Sequence, residues 1–255
     1  MMAELTERER IIMDRLSTDG SVSVGILARD LELSEVTIRG DLKLLEEKGW
    51  INRKRGGAAP ALHQRILERQ RVYIEEKNAI AKAAAELVHD GDVIMIEAGT
   101  TTALVARYLA GKRDINIVTN STLVFSYARM YPNLQITMTG GEFRRASESL
   151  VGPIALDTIS RLNVRLAFVG TDGFSLERGM TTHLMESGEI VKAMKVHAQT
   201  TVLTVDSSKY SKIGFSNVLP LSAMDIILTD WNLSSEAETE LQEAGINIRK
   251  VGGDR

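Results

Sequence analysis

Two stretches of this chain combine residue types whose spacing suits the handling of anions. The first is Ser34-Glu35-Val36-Thr37-Ile38-Arg39, followed further on by Arg53-Lys54-Arg55-Gly56-Gly57. A helix that enters the major groove of DNA needs exposed hydrogen-bonding side chains for base edges and Lys or Arg for phosphates. Ser34, Glu35, Thr37, Arg39 and Lys43 suit the groove, while Arg53, Lys54 and Arg55 on a glycine-flanked turn suit phosphates or a minor groove. The plain alternative is a solvated helix face beside a charged loop. The second stretch is Ile96-Glu97-Ala98-Gly99-Thr100-Thr101-Thr102, at a strand end that opens a helix. Backbone N–H groups at such a helix start, with small hydroxylated residues around them, form an anion site. Gly99 lets a phosphate approach the backbone closely. A capped helix with nothing bound is the competing account.

Other segments of the same kind follow: Val118-Thr119-Asn120-Ser121, Thr139-Gly140-Gly141, Gly170-Thr171-Asp172-Gly173, Gly179-Met180-Thr181-Thr182 and Val205-Asp206-Ser207-Ser208-Lys209. In a parallel sheet these segments and Gly99–Thr102 converge on one rim, where open α/β sheets bind ligands. Gly140 and Gly141 then allow close approach, Asn120 and Asp172 suit sugar hydroxyls, and Lys209 suits negative charge. Arg144-Arg145 near Ser147 and Ser149 reads equally as an anion clamp or a solvated loop.

Other chemistries lack their residues. With no cysteine, a thiol nucleophile and a Cys-type zinc site are excluded. His63, His89, His183 and His197 are scattered, so no metal and no cofactor are expected. The glycine segments do not extend to G-x-G-x-x-G, because residue 175 is Ser, and neither a P-loop nor G-x-S-x-G occurs.

These stretches need elements to hold them. In the first sixty residues, Leu5, Ile11, Ile12 and Leu16 recur at helical spacing up to Asp19-Gly20. Ser23 caps a second helix over 24–31, and Ser34 caps a third over 35–48 that Gly49 ends. The spacing puts Val36, Ile38, Leu42, Leu45 and Leu44 on the buried side of the third helix. Trp50-Ile51-Asn52, a basic turn and Ala58–Pro60 then read as a small hairpin, so three helices and a wing make a winged helix-turn-helix. Residues 61–75 read as a polar helical linker. Beyond them, helical stretches at 76–89, 100–110, 121–130, 152–161, 186–198 and 234–244 separate strand-like runs at 93–98, 115–119, 134–139, 164–170, 201–206, 225–230 and 246–251, the pattern of a mostly parallel α/β sheet. The expected domains are therefore 1–60, a linker at 61–75, and 76–255.

Composition agrees with this division. With 255 residues, 44% hydrophobic and 25% charged, the chain can bury a core and is not a disordered one. No apolar run reaches the roughly 18–20 residues of a membrane span, and the charged start is unlike a signal peptide, so a cytoplasmic protein is expected. Net charge is −3, yet residues 36–71 carry nine Lys/Arg against four Asp/Glu, a basic island on an acidic body.

Arg8, Ile12 and Leu16, then Ser34-x-x-Thr37-Ile38-Arg39-Gly40-Asp41-Leu42, Leu45-Glu46-x-x-Gly49 and Arg53-x-x-Gly56-Gly57-Ala58, resemble the signature of DeoR-type bacterial transcriptional regulators. Many members carry Arg where this chain has Gly40, which removes a possible phosphate contact and costs the helix on the order of 1 kcal/mol. Residues 76–235 resemble the sensor domain of that family, related in fold to ribose-5-phosphate isomerase. The resemblance implies that Gly99, Thr100, Thr101 and Thr102 hold a phosphate and that Asn120, Gly140, Gly141, Asp172 and Lys209 line a sugar, with Glu186, Glu189 and Lys192 as weaker candidates. It implies a homo-oligomer, dimer or tetramer, that represses a carbohydrate-utilisation operon and is released by a phosphorylated sugar or sugar alcohol. A sugar-phosphate isomerase with an appended DNA-binding domain, using Asp172, Glu186 and Lys209, and a DNA binder whose large domain serves assembly alone are the competing readings.

Overall fold

The computed structural model describes residues 5–253. The chain divides into two compact units between Arg69 and Gln70.

The first unit begins with α1 (Glu7–Asp19), closed at its start by a capping box. The Thr6 hydroxyl accepts the Glu9 N–H at 3.2 Å, and the Glu9 carboxylate accepts the Thr6 N–H at 2.8 Å. After the short β1 (Val22–Ser23), the Ser23 hydroxyl caps α2 (Val24–Asp30) and the Ser34 hydroxyl caps α3 (Glu35–Glu47). The strands β2 (Ile51–Lys54) and β3 (Gly57–Pro60) form the wing, and β1 joins them in an antiparallel sheet of order β1-β3-β2. Ile12, Met13 and Leu16 of α1 bury against Leu27 of α2 and Ile38, Leu42 and Leu45 of α3. Two ion pairs add to that core. Arg8 donates to both Asp41 carboxylate oxygens at 2.8 and 2.7 Å, and the Lys48 ammonium reaches both Glu9 oxygens at 2.7 and 2.9 Å.

Two expectations for α3 need correction. Val36 is 76% exposed and Leu44 49% exposed, so neither belongs to the core. At 3.6 residues per turn, the row Ile38, Asp41, Leu42 and Leu45 takes the inner face and turns Val36 almost straight outward. Asp41, a charge in the sequence, holds an inner position because Arg8 pairs with it.

Next, α4 (Gln64–Arg71) runs across the division, and Tyr73 at φ 56° breaks it from α5 (Ile74–Glu86), so the expected linker helix is interrupted. The second unit then alternates: β4 (Val93–Ile96), α6 (Thr102–Tyr108), β5 (Ile115–Thr119), α7 (Thr122–Ala128) and β6 (Leu134–Met138). A hairpin of β7 (Glu142–Arg144) and β8 (Ser149–Val151) leads to α8 (Pro153–Ser160) and β9 (Val164–Val169). After β10 (Gly173–Ser175) and β11 (Gly179–Thr182) come α9 (Met185–Val196), β12 (Ala198–Thr204), β13 (Ser216–Asn217), β14 (Ile226–Asp230), α10 (Ser235–Glu243) and β15 (Ile248–Val251).

Seven strands form one sheet of order β15-β14-β12-β9-β4-β5-β6, parallel at every pairing. Its central strands are near-continuous apolar runs, as strands covered on both faces require. Leu166, Ala167, Phe168 and Val169 of β9 are all buried, each large side chain contributing about 1.5–3 kcal/mol. From β4 the chain steps outward to β5 and β6, then returns to β9 on the other side and steps outward to β12, β14 and β15. The order therefore reverses between β4 and β9, the kind of switch point at whose carboxyl strand ends open α/β sheets form a ligand crevice.

Candidate functional site

In the first unit the expected groove-facing residues lie along α3. Glu35, Arg39 and Lys43 are exposed, and Thr37 is half-buried. Ser34 is exposed but occupied as the cap: its hydroxyl accepts the Thr37 N–H at 3.1 Å and meets the Thr37 hydroxyl at 2.9 Å. Arg39 donates to Glu35 at 2.7 Å, one helical turn away, and both side chains stay exposed. Arg53 and Lys54 stand on β2, with Arg55 at the turn, all exposed. Exposed polar and charged side chains on a capped helix, beside an exposed basic wing, are the chemistry that duplex recognition requires.

Two ties hold α3 to α1, one at its middle and one at its end. Arg8 grips Asp41, which is 5% exposed, and Lys48, at the last turn, grips Glu9. Burial alone would raise the Glu9 pKa, but the Lys48 ammonium and the Thr6 N–H and hydroxyl outweigh it and leave it below the ordinary carboxylate value.

In the second unit the expected segments sit at the carboxyl ends of β4, β5, β6, β9 and β12. The remaining one, Gly179–Thr182, is β11, which belongs to a separate antiparallel sheet of order β10-β11-β13. It joins the rim through Asp172, whose carboxylate accepts the Thr182 hydroxyl at 3.1 Å and the His183 N–H at 3.0 Å. At the crevice itself, Gly99 approaches Thr102 so closely that a Cβ on it would lie 2.8 Å from the Thr102 hydroxyl. Thr102 is fully buried and its hydroxyl has no hydrogen-bond partner within the protein. Thr100 and Thr101 are buried beside it, and Thr101, the residue before α6, makes no side-chain cap hydrogen bond. Lys209 is half-buried on a 3-10 turn, Ser207–Lys209, anchored where the Asp230 carboxylate accepts the Ser207 N–H at 2.6 Å.

Several expected ligand residues have structural duties. Asn120 is fully buried. Its amide oxygen accepts the Ala98 N–H at 3.0 Å and its amide nitrogen donates to Leu150 O at 3.1 Å, so it braces the β4 loop against β8. Gly141, at φ 113°, passes so near β8 that a Cβ would lie 2.5 Å from Val151 O, and Gly140 is its partner in that turn. Glu186 pairs with Arg144 at 3.0 Å, which also reaches Glu142 at 3.3 Å, and Glu189 pairs with Lys192 at 2.8 Å. The Glu186 carboxyl is held below its usual range, first by its own N–H at the start of α9 and then by Arg144.

Glu97 is a residue the sequence reading passed over. It is 3% exposed and accepts the Gly170 N–H at 3.2 Å, which ties the β4 and β9 loops together across the crevice. A lone acid at a strand end carries no periodic signal. Its position inside the Ile96–Thr102 segment was the sole clue.

A winged helix-turn-helix joined to a parallel α/β unit defines a DNA-binding regulator with a second domain of its own. Residues 8–64 match the DeoR-like helix-turn-helix domain, and residues 72–231 match the DeoR C terminal sensor domain. The chain belongs to the DeoR family of DNA-binding transcriptional regulators. Among its relatives, the HTH-type transcriptional regulator GlpR of Haloferax volcanii is 34% identical over 246 residues, 95% of this chain and 96% of that one. The HTH-type transcriptional repressor GlcR of Bacillus subtilis is 32% identical over 228 residues, 88% of each. Among solved structures, ribose 5-phosphate isomerase A from Methanocaldococcus jannaschii is 23% identical, covering 55% of this chain and 56% of that one at a TM-score of 0.40. Among the described residues no group of three or more His, Cys, Asp or Glu could hold a metal ion, and no helix is long and apolar enough to cross a membrane.

Proposed function

We propose that this protein represses a carbohydrate-utilisation operon and is released from its operator by a phosphorylated sugar or sugar alcohol. Residues 1–60 read the DNA, 61–75 connect, and 76–255 sense the effector and assemble the oligomer, a dimer or tetramer reading paired half-sites. The observation that carries the effector reading is the reversal of strand order between β4 and β9. Open α/β sheets bind ligands at such a switch point, and Gly99, Thr100, Thr101 and Thr102 follow one of its strands while Asp172 follows the other. The phosphate is held by the backbone and hydroxyls of that loop, including the buried Thr102 hydroxyl, and Asp172 and Lys209 meet the sugar. Gly140, Gly141 and Asn120 shape the rim from behind. The site binds without turnover, and control is a coupling free energy: the effector binds the DNA-competent and incompetent arrangements unequally.

The test is thermal stabilisation of the full chain against a panel of sugar and sugar-alcohol phosphates, each beside its unphosphorylated parent. At 100 times its dissociation constant a specific ligand adds roughly 2.7 kcal/mol. Stabilisation by one phosphate and not its parent, with operator release by the same compound, is the expected result. No shift across the panel refutes the effector reading, and product formation in the same incubations refutes the non-catalytic one.

A further inference from the structure

Gly40 is hard to account for within the protein. It lies in the middle of α3, exposed, with an ordinary helical backbone, and nothing lies within 4 Å of a Cβ built on it. The fold therefore neither needs the glycine's conformational freedom nor crowds out a side chain, although a glycine inside a helix weakens it. The remaining physical use for a missing Cβ is the close approach of something outside. Its surroundings say what. Residues spaced by one turn along the face opposite Ile38, Leu42 and Leu45 are Val36, Gly40, Lys43 and Glu47, and all are exposed. Lys43 and Glu47 stand 3.9 Å apart towards the far end of this row. At its near end Val36 shows a branched apolar side chain, between a serine spent on capping and an Arg39–Glu35 pair.

We propose that Val36 and Gly40 form a low apolar notch through which α3 settles against the floor of the major groove, and that the Val36 methyl groups there contact the C5-methyl of a thymine. The groove admits a helix, and the thymine methyl is its one apolar landmark. The absent side chain at residue 40 lets the helix backbone sink far enough for the short Val36 side chain to reach it. The basic wing, Arg53-Lys54-Arg55, and the Lys/Arg excess of residues 36–71 supply the charge complementarity that brings a polyanion to this face. This inference rests on α3 being the groove helix.

The experiment uses full-length protein and a duplex selected on it from a random-sequence library. Each thymine of that duplex is replaced in turn by deoxyuridine, which removes only the methyl group. One thymine in each half-site should weaken binding severalfold when so replaced, and the penalty should vanish in Val36→Ala. Val36→Ala should bind the parent duplex about tenfold more weakly. Gly40→Ala should melt at a higher temperature than the natural chain yet bind more weakly, separating fold from contact. The proposal is overturned if no deoxyuridine position matters, or if Gly40→Ala or Gly40→Arg binds as tightly as the natural chain or tighter. Arg39→Ala distinguishes the failures. If it alone weakens binding, the notch is wrong and the groove helix stands; if it too binds normally, the groove reading falls as well.

Discussion

The two units fix their functional residues by opposite means. In the first, the side chains proposed to meet DNA point outward from one helix, and charged pairs between residues far apart in sequence set that helix in place: Arg8 with Asp41, and Lys48 with Glu9. In the second, the crevice is lined largely by backbone and small residues at strand ends. The braces are mostly hydrogen bonds to backbone, such as Asn120 to Ala98 and Leu150, and Glu97 to Gly170. A helix offered to an extended polyanion needs orientation, and a few strong ties supply it. A loop closing on a small ligand needs sub-ångström position, and many short bonds from a rigid sheet supply that. The lesson is that the residues proposed to carry recognition are exposed in one unit and largely buried in the other.

The largest expected effect tests whether the units are independent. Leu42→Ala removes a fully buried side chain from the first core and should cost about 3 kcal/mol there. The chain has two tryptophans, Trp50 in the first unit and Trp231 in the second. In single-tryptophan variants the denaturation midpoint seen at Trp50 should fall and that at Trp231 should not, and equal shifts at both would end the comparison. Next, Arg39→Ala should lose about 2 kcal/mol of specific duplex binding with no change in melting temperature, read by gel-shift titration beside a thermal scan. A smaller effect separates stability from function in the second unit. Thr102→Val replaces a buried hydroxyl with no partner and should raise the stability of the free protein by about 1 kcal/mol while abolishing stabilisation by the effector. If effector stabilisation survives, Thr102 is not a phosphate ligand.

The smallest effect is in pH. Because Glu9 has a folded pKa below its ordinary value of 4.5, its contribution is fully present above that value and is lost as pH falls through the folded one. Glu9→Gln should lower stability at neutral pH and flatten the acid limb of the Trp50 transition below pH 4.5. An unchanged limb would mean that the Lys48 tie contributes little.

Much of this architecture was legible beforehand because its signals are local. Ser23 and Ser34 before apolar periodic runs marked two helix starts, and VIMI, INIVT and VRLAFV could hardly be anything but buried strands. The short strands β7, β8, β10, β11 and β13 went unread, since two to four residues carry no period. Val36 was misplaced by the assumption that an apolar side chain turns inward, when the phase of the helix, set by Ile38, Leu42 and Leu45, decides the matter. For Asn120 the deciding partner, Leu150, lies thirty residues away. A side chain suited to a sugar hydroxyl is equally suited to a carbonyl, and composition cannot choose between them.

The doubled use of Glu9 has a further consequence for the life of the protein. One carboxylate closes the first turn of α1 and anchors the last turn of α3, and its neighbour Arg8 holds the middle of that same helix. The placement of α3 thus depends on Arg8 and Glu9 of α1, neither of them among the residues proposed to meet DNA. A protease that cut just past Glu9 would leave every one of those proposed contacts and the whole second unit chemically intact, yet on the proposed reading the clipped molecule would lose its grip on its operator.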